Sequence, residues 1–508
     1  MSLRTWPRRF ARRLSPSGDL AERTLISGVW VFAMKVLNRG LQLVLFLVLG
    51  RLLGPAVLGL YGVAMIALAA LSRFTEPGLS EALIQRREED VDDLLHTAWG
   101  IEIVRGVFIA AILFVAAPFI GTFFDEPSAT NVLRVMALSP LLLGIRNPGV
   151  IYFRKSLEFH KQFGYQVSGS VVQFAVGIGL GFYWRSIWAL VVAYLAMDLT
   201  RTAVSYYAHG FRPRFELDLD VVRDLIGYGK WITGSTILYF FYDRGDDAVV
   251  GWLLASTALG WYQMAYRMAN APATEISGTL SNVLFPTFSR LQDDPVALRE
   301  AFYRAFQITL FVAFPMSFGI VAVAPVFVRT FLGPDWIPMT TTLQLLAIFG
   351  LQMAIGPSLG SLWKAVGRPD FATKLSVVRV GLMAVLVVPA TLAYGIEGTA
   401  AVLVFIGLVA ILPIDAYLLV EHTLETTYRR FLSEIAYPFA ASVAMFGVVF
   451  LVRETVTFTR PIVELVALVL VGVVAYGAAV SILILGMNWD ITRNLRWVMS
   501  VASRGSRS

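Results

Sequence analysis

Four polar side chains, two of them cationic, fall within one apolar stretch near the N-terminus. Lys35, Asn38, Arg39 and Gln42 are spaced i, i+3, i+4 and i+7, which puts all four on one face of a helix. Cations and amides of this kind bind phosphate or pyrophosphate groups. The alternative is a structural ion pair with a carboxylate on another helix.

A second polar stripe has the same spacing. Gln263, Tyr266, Arg267 and Asn270 again stand at i, i+3, i+4 and i+7. Two cationic stripes that face each other would coordinate a pyrophosphate from opposite sides. For Arg267, a purely structural role in the core stays open as an alternative.

The segment FYDRGDD at 241–247 places four ionisable residues within about one and a half turns of a helix. They are Asp243, Arg244, Asp246 and Asp247. Such a group is expensive in lipid and must meet water or pair internally. One interpretation is a site for a coupling ion or a proton. The other is a solvated cluster at the membrane rim in which aspartates pair with the arginine.

The remaining charges inside apolar stretches favour structural pairing. Two pairs at i, i+3 are predicted to be local ion pairs: Glu102 with Arg105, and Asp198 with Arg201. Arg379 and Asp415 could pair between helices.

Metal, nucleotide and cofactor chemistry find no support in the sequence. The four histidines are scattered, there is no HExxH motif, and cysteine is absent. No GxxxxGK[ST] loop is present, so nucleotide hydrolysis is not expected to supply the energy. We therefore predict neither a metal site nor a cofactor.

The elements that position these residues must lie in a membrane. Of the 508 residues, 57% are hydrophobic and 15% charged, with a mean hydropathy of +0.68. The net charge of +7 lies mainly in the breaks between apolar runs, so nucleic acid is not an expected partner. Fourteen membrane-spanning segments are predicted, at 25–50, 57–74, 94–120, 131–153, 165–184, 187–208, 225–252, 257–275, 302–324, 340–363, 373–394, 397–420, 434–452 and 462–486.

The chain also contains an internal repeat at an offset of 201 residues. GRLLGPAVLGLYGVA at 50–64 aligns with GWLLASTALGWYQMA at 251–265, and the register extends to about fifteen identities over about 56 positions. Segments 1 and 2 thereby correspond to segments 7 and 8. The halves are therefore six-span units of the same orientation, related by an axis along the membrane normal.

The predicted organisation follows from the repeat and from the distribution of Lys and Arg. Basic residues concentrate in the tails and even-numbered loops, which places both termini in the cytoplasm. The predicted regions are a basic cytoplasmic tail at 1–24, an N-terminal six-helix lobe at 25–224, a C-terminal six-helix lobe at 225–432, two additional helices at 433–486 and a cytoplasmic tail at 487–508.

Several loop motifs resemble those of one transporter family. They are LGRLLGPAVLGLYGVA after segment 1, GLSEALIQR at 78–86, ALGWYQMAYRMANAP at 258–272, LFPTFSRLQDD at 284–294, FLGPDW at 331–336, GRPD at 367–370 and YGIEGTA at 394–400. Together they are similar to the polysaccharide transporter, or oligosaccharide flippase, branch of the multidrug/oligosaccharidyl-lipid/polysaccharide exporter superfamily.

The resemblance implies an all-α polytopic membrane protein with two parallel six-helix lobes around a central cavity. It further implies alternating-access transfer of a polyprenyl-pyrophosphate-linked oligosaccharide to the outer leaflet of the plasma (inner) membrane, for lipopolysaccharide or exopolysaccharide synthesis. Arg51, just beyond segment 1, would then meet the outward-moving head group. Glycan polymerase and glycosyltransferases of the same pathway are candidate partners.

Two alternatives stay open. One is a cation-coupled drug exporter of the same superfamily, for which a more acidic and aromatic cavity is expected. The other is a membrane-embedded glycan polymerase or ligase, an enzyme that generally needs a large outward loop with catalytic carboxylates or histidines. Because no predicted loop exceeds about 30 residues, we predict a transporter rather than an enzyme.

Overall fold

The apolar segments form helices because a chain in hydrocarbon must bond every backbone N–H and C=O internally. The computed structural model describes residues 20–76 and 91–487, and no strand occurs within these ranges. The α-helices in chain order are α1 (Leu20–Phe74), α2 (Val91–Phe123), α3 (Ala129–Met136), α4 (Leu138–Gly144), α5 (Tyr152–Lys155), α6 (Phe159–Trp184), α7 (Trp188–Ala208), α8 (Leu219–Arg290), α9 (Pro295–Phe327), α10 (Thr340–Ala365), α11 (Pro369–Val404), α12 (Leu412–His422), α13 (Tyr428–Thr455) and α14 (Pro461–Met487).

Short helical turns of other types complete this order. The 3₁₀ turns are Pro148–Ile151 and Pro334–Met339, and the π-helical turns are Val328–Leu332 and Phe405–Ile411. The predicted tail at 1–24 lies outside the described residues up to residue 19, and GLSEALIQR at 78–86 and the C-terminal tail from residue 488 lie outside them entirely.

Within the described ranges, eight helices are long and apolar enough to span a membrane. A ninth candidate joins Ala129–Gly144 to Pro148–Lys155 through a bend of 72°. The predicted number of fourteen spans stays a prediction. Two of the eight helices are each long enough for two predicted segments, while α7 and α8, which hold predicted segments 6, 7 and 8, do not pass the same test. Charged residues in α7 and in the FYDRGDD segment of α8 lower their hydropathy.

Backbone breaks divide the longest helices where the sequence predicts a turn between segments. Gly54 interrupts α1 at φ 78° and ψ 174°, and Ala255 interrupts α8 at φ 65° and ψ 178°. The two breaks are 201 residues apart, the same offset as the sequence repeat. This conformation is almost restricted to glycine, so at Ala255 it stores about 1–3 kcal/mol of strain.

Two glycines of the repeat motif make close backbone contacts that no other residue permits. A Cβ on Gly59 would overlap the carbonyl oxygen of Ser256, and a Cβ on Gly260 would overlap that of Pro55. Both members of each contact are exchanged by the offset of 201, so the contacts are reciprocal. The repeat is therefore visible in the packing of the backbone as well as in the sequence.

The chain divides into two compact units. The first comprises residues 1–53, 60–240 and 503–508, and the second comprises residues 54–59 and 241–502. The predicted lobe boundary at 224/225 and the unit boundary both fall within α8, and the predicted regions themselves stay predictions.

Each unit has its own packing. In the first, Leu94, Leu95 and Ala98 of α2 pack with Ile151. In the second, α13 and α14, which hold predicted segments 13 and 14, pack on α9 through a buried cluster that includes Val326.

Candidate functional site

The polar stripe of α1 lies opposite an apolar face of the same helix. Its four members, Lys35, Asn38, Arg39 and Gln42, are all half-buried. A groove on the other side of the helix is lined by apolar residues of α1 together with Phe163 and Phe174 of α6. Because successive residues turn by about 100°, the apolar positions 33, 37, 40 and 44 point away from the stripe.

The stripe contains polar atoms without partners. The side-chain oxygen Oδ1 of Asn38 and the Nε of Arg39 are buried and have no hydrogen-bond partner among the described residues. Within residues 20–76 and 91–487, no carboxylate forms an ion pair with Lys35 or Arg39. The described part of the chain thus contains no structural ion pair of the kind considered as the alternative. Unpartnered cations in a membrane segment are costly unless a cavity or ligand solvates them.

The second stripe lies beyond the break in α8. Gln263 and Asn270 are buried, at 7% and 2% exposure, while Tyr266 and Arg267 are half-buried. Arg51 of α1 is exposed and lies three residues before the break at Gly54. The roles of all these residues in binding stay predictions.

The acidic cluster of α8, formed by Asp243, Arg244, Asp246 and Asp247, is paired internally. Nη1 of Arg244 lies 3.1 Å from Asp247, and Nε of the same arginine lies 3.4 Å from Asp243. Asp246 accepts a hydrogen bond of 2.6 Å from the hydroxyl of Tyr262. This bond joins the two arms of α8 across the break at Ala255.

Burial distinguishes the members of this cluster. Asp246 and Asp247 are only 3% and 5% exposed, whereas the side chains of Asp243 and Arg244 are about 40% exposed. The predicted pairing of aspartates with Arg244 is therefore present, but two of the three carboxylates are buried rather than solvated. Neither an ion-coupling role nor a purely structural role is decided by this geometry.

A neighbouring network was only partly foreseen from the sequence. The guanidinium of Arg379 donates to the hydroxyl of Tyr242 and lies 4.9 Å from its ring centre. Gln352, which is 2% exposed, accepts from Nη2 of Arg379 at 2.9 Å and is also hydrogen-bonded to Asp415. Arg379 and Asp415 are thus linked through an amide rather than paired directly. Tyr242 and Gln352 have no distinctive spacing that would have revealed them.

The two predicted local ion pairs have different outcomes. Glu102 and Arg105 pair at 3.0 Å, as predicted, and Arg105 also donates to the carbonyl of Ser72 at 2.7 Å. The prediction for Asp198 and Arg201 is wrong. Asp198 instead accepts a bond of 2.6 Å from Ser139, and Arg201 donates to Ser170, because helix packing brings those hydroxyls closer.

Metal ligation was tested separately. No group of three or more His, Asp or Glu residues that could hold a metal ion occurs in the part of the chain that the structure describes.

Comparison with protein families decides the assignment of the chain. The sequence model of the family described as "Polysaccharide biosynthesis protein" matches residues 48–341, more than half of the 508 residues. The chain belongs to this family. Membership confirms the resemblance inferred from the loop motifs.

Individual members of the family are similar over much of their length. The lipopolysaccharide biosynthesis protein WzxC of Escherichia coli (strain K12) is 25% identical over 430 residues, which cover 84% of this chain and 86% of that protein. The succinoglycan biosynthesis transport protein ExoT of Rhizobium meliloti (strain 1021) is 27% identical over 320 residues, 63% of this chain and 64% of that protein.

A solved structure shares the fold of this family member. The lipid II flippase MurJ in an inward closed conformation superposes with a TM-score of 0.73 and 15% identity, over 91% of this chain and 99% of that one. The fold class predicted from the sequence, an all-α polytopic membrane protein, is confirmed.

Proposed function

We propose that this protein translocates a polyprenyl-pyrophosphate-linked oligosaccharide from the cytoplasmic to the outer leaflet of the plasma (inner) membrane by alternating access. Family membership supports a role in polysaccharide synthesis, and its relatives include proteins named for lipopolysaccharide synthesis and succinoglycan transport. The observation that carries the proposal is the stripe of α1, with two cations and buried polar atoms that lack partners in the described chain.

The chemistry of the substrate explains why such a stripe is needed. A pyrophosphate and sugar hydroxyls cannot cross hydrocarbon unsolvated, since each unpaired polar group costs several kcal/mol. Lys35 and Arg39 supply charge, and Asn38 and Gln42 supply amides for phosphate oxygens or hydroxyls. The polyprenyl tail stays in lipid throughout.

The stripe of α8 is proposed as a second set of contacts on the same path. Arg267 would bind the pyrophosphate, while Gln263, Tyr266 and Asn270 would bind sugar hydroxyls or orient the arginine. Arg51, exposed beside the break in α1, is proposed to meet the head group as it leaves. This arrangement favours an anionic substrate over the cationic drugs of the alternative exporter.

The acidic cluster of α8 is proposed to reset the empty carrier. Arg244 already pairs with Asp243 and Asp247, so the cluster is satisfied without a substrate. A change in this pairing after release of the anion would return the binding site to the cytoplasmic side. On this view, the aspartates need not exchange a proton or sodium ion in fixed stoichiometry.

The driving force is proposed to be the membrane potential. A pyrophosphate head group carries about two negative charges, and each gains about 2.3 kcal/mol per 100 mV when it moves out of an electrically negative cytoplasm. The loaded step is therefore downhill in the required direction.

In the cell, the protein would work with enzymes that make and consume its substrate. We place both termini in the cytoplasm, where glycosyltransferases assemble the oligosaccharide, and a glycan polymerase acts after transfer. The chain itself would perform no covalent chemistry.

The test is flipping of a labelled polyprenyl-pyrophosphate oligosaccharide by the purified full chain in proteoliposomes, with the potential and the pH gradient imposed separately. We expect flipping above that of protein-free vesicles, a larger loss when the potential is collapsed, and an impaired return step in Asp243→Asn. Failure of the wild-type protein to flip any lipid-linked oligosaccharide would overturn the function. Transport that follows only the pH gradient, and is lost in Asp243→Asn and Asp247→Asn, would instead make the aspartates an obligatory coupling site.

A further inference from the structure

A polar cavity lies inside the first unit, apart from the stripe of α1. Its volume is about 160 Å³, and its walls come from α2, from the bend that precedes α5, and from α6. We call it the α2–α6 pocket. Its polar lining includes Trp99, Glu102, Arg146, Arg154, Gln162 and Gln166.

The charge of the α2–α6 pocket favours an anion. Arg146 and Arg154 contribute two guanidinium groups, and the hydroxyl of Tyr165 accepts from Nη1 of Arg146 at 3.2 Å, which fixes that side chain. The one carboxylate in the lining, Glu102, is paired with Arg105 at 3.0 Å. The lining therefore has an excess of positive charge.

The pocket also contains a hydrogen-bond acceptor that nothing in the described chain satisfies. The amide oxygen Oε1 of Gln162 is buried and has no partner among the described residues. A buried polar atom without a partner costs about 1–3 kcal/mol, so a water or ligand donor is expected there. Guanidinium groups beside an unpartnered acceptor match a phosphate that is attached to a hydroxyl-bearing group.

Size and position narrow the occupant. At about 30 Å³ per water, the cavity holds the volume of about five waters, which suits a head group but neither an oligosaccharide nor an acyl chain. It lies beside the N-terminal end of α6 and the 72° bend before α5, where one candidate span ends and the next begins. Phospholipid head groups lie at this level of a membrane, and basic pockets between helices on the cytoplasmic side bind them.

We propose that the α2–α6 pocket binds a glycerol phosphate group, with Arg146 and Arg154 on the phosphate and Gln162 on a glycerol hydroxyl. The same chemistry occurs in the head group of phosphatidylglycerol and in free glycerol phosphate. This site is separate from the stripe proposed for the transported substrate. It can be occupied whether or not the chain flips a lipid-linked oligosaccharide.

The experiment measures binding to the purified, delipidated full chain. Short-chain phosphatidylglycerol, short-chain phosphatidylcholine and soluble glycerol phosphate are titrated separately, and the midpoint of thermal unfolding is followed. We expect phosphatidylglycerol, but not phosphatidylcholine, to raise the midpoint. An equal response to glycerol phosphate identifies a soluble ligand, and a response to phosphatidylglycerol alone identifies a lipid.

Two variants tie the response to the pocket. Arg154 is exposed, so Arg154→Glu is expected to fold and to weaken binding by about tenfold or more. Gln162→Leu removes the amide and should weaken phosphatidylglycerol without changing the response to inorganic phosphate. Arg134→Glu is the matched control, since Arg134 is an exposed arginine of α3 outside the pocket. Equal binding by wild type, Arg154→Glu and Gln162→Leu, or equal binding of both lipids, would overturn the proposal.

Discussion

The stripe of α1 and the acidic cluster of α8 contain similar charged groups but satisfy them differently. In the stripe, Lys35 and Arg39 have no carboxylate partner in the described chain, and Nε of Arg39 is buried without a hydrogen bond. In the cluster, Arg244 pairs with two aspartates, and Asp246 accepts from Tyr262.

This difference separates two uses of charge in a membrane protein. Internal pairing makes a charged group tolerable in the folded state, whereas an unpaired cation must be solvated by a cavity or a ligand. Substitutions in the stripe should therefore affect transport more than stability. Substitutions in the cluster should affect stability as well.

The largest expected effect is loss of transport from the stripes. Lys35→Ala, Arg39→Ala and Arg267→Ala should each abolish flipping of the labelled lipid-linked oligosaccharide, because each removes a proposed pyrophosphate contact. The amount of protein in the membrane should not change. Arg73→Ala, which removes an exposed cation from the same helix α1, is the control and should flip at the wild-type rate. Wild-type flipping by all three stripe variants would remove the proposed site.

The next effect concerns the stability of the cluster. Arg244→Ala leaves the buried carboxylate of Asp247 without its ion pair and should lower the free energy of unfolding by about 3 kcal/mol. Chemical denaturation of the purified protein measures this change. Asp243→Asn, at a half-exposed partner of the same arginine, should cost less than about 1 kcal/mol.

A double variant sharpens this stability test. In an Asp247→Asn background, Arg244→Ala should cost much less than in the wild type, because no buried charge is left unpaired. An equal cost in both backgrounds would mean that the pair does not stabilise α8.

A smaller loss of stability is expected at the bond between the two arms of α8. Tyr262→Phe removes the donor to the buried carboxylate of Asp246 and should cost about 1–2 kcal/mol. The ring stays in place, so packing is retained and denaturation reports the hydrogen bond alone. A stability equal to that of the wild type would show that Asp246 finds another partner.

Much of the helical architecture could be predicted from local sequence, and the long-range partners could not. Apolar runs and the offset of the repeat pointed to breaks near residues 54 and 255, which the backbone at Gly54 and Ala255 displays. The Glu102–Arg105 pair was also predictable, because both residues occupy one helix face.

The failures follow from packing between helices. Asp198 and Arg201 have the same spacing as that pair, yet Asp198 bonds to Ser139, which is 59 residues away. Gln352 links Arg379 to Asp415 because packing buries all three polar groups together. Spacing within one helix does not reveal such partners, and neither did it reveal that Tyr262 reaches Asp246 across a break.

The smallest expected effect is a graded change within the stripe. Arg39→Lys keeps the charge but loses the planar, bidentate guanidinium, so flipping should fall severalfold rather than disappear. Initial rates in proteoliposomes, measured beside Arg39→Ala, provide the comparison. A lysine variant as inactive as the alanine variant would show that geometry matters more than charge at this position.

The central claim is that the stripe of α1, and not the acidic cluster of α8, binds the pyrophosphate. The most direct measurement is the affinity of the purified full chain for a polyprenyl-pyrophosphate sugar and for its monophosphate analogue. The account predicts that Arg39→Ala weakens binding of the pyrophosphate form by about tenfold or more, with a smaller loss for the monophosphate, while Arg73→Ala and Asp243→Asn bind as the wild type does. Wild-type affinity in Arg39→Ala, together with a large loss in Asp243→Asn, would contradict it.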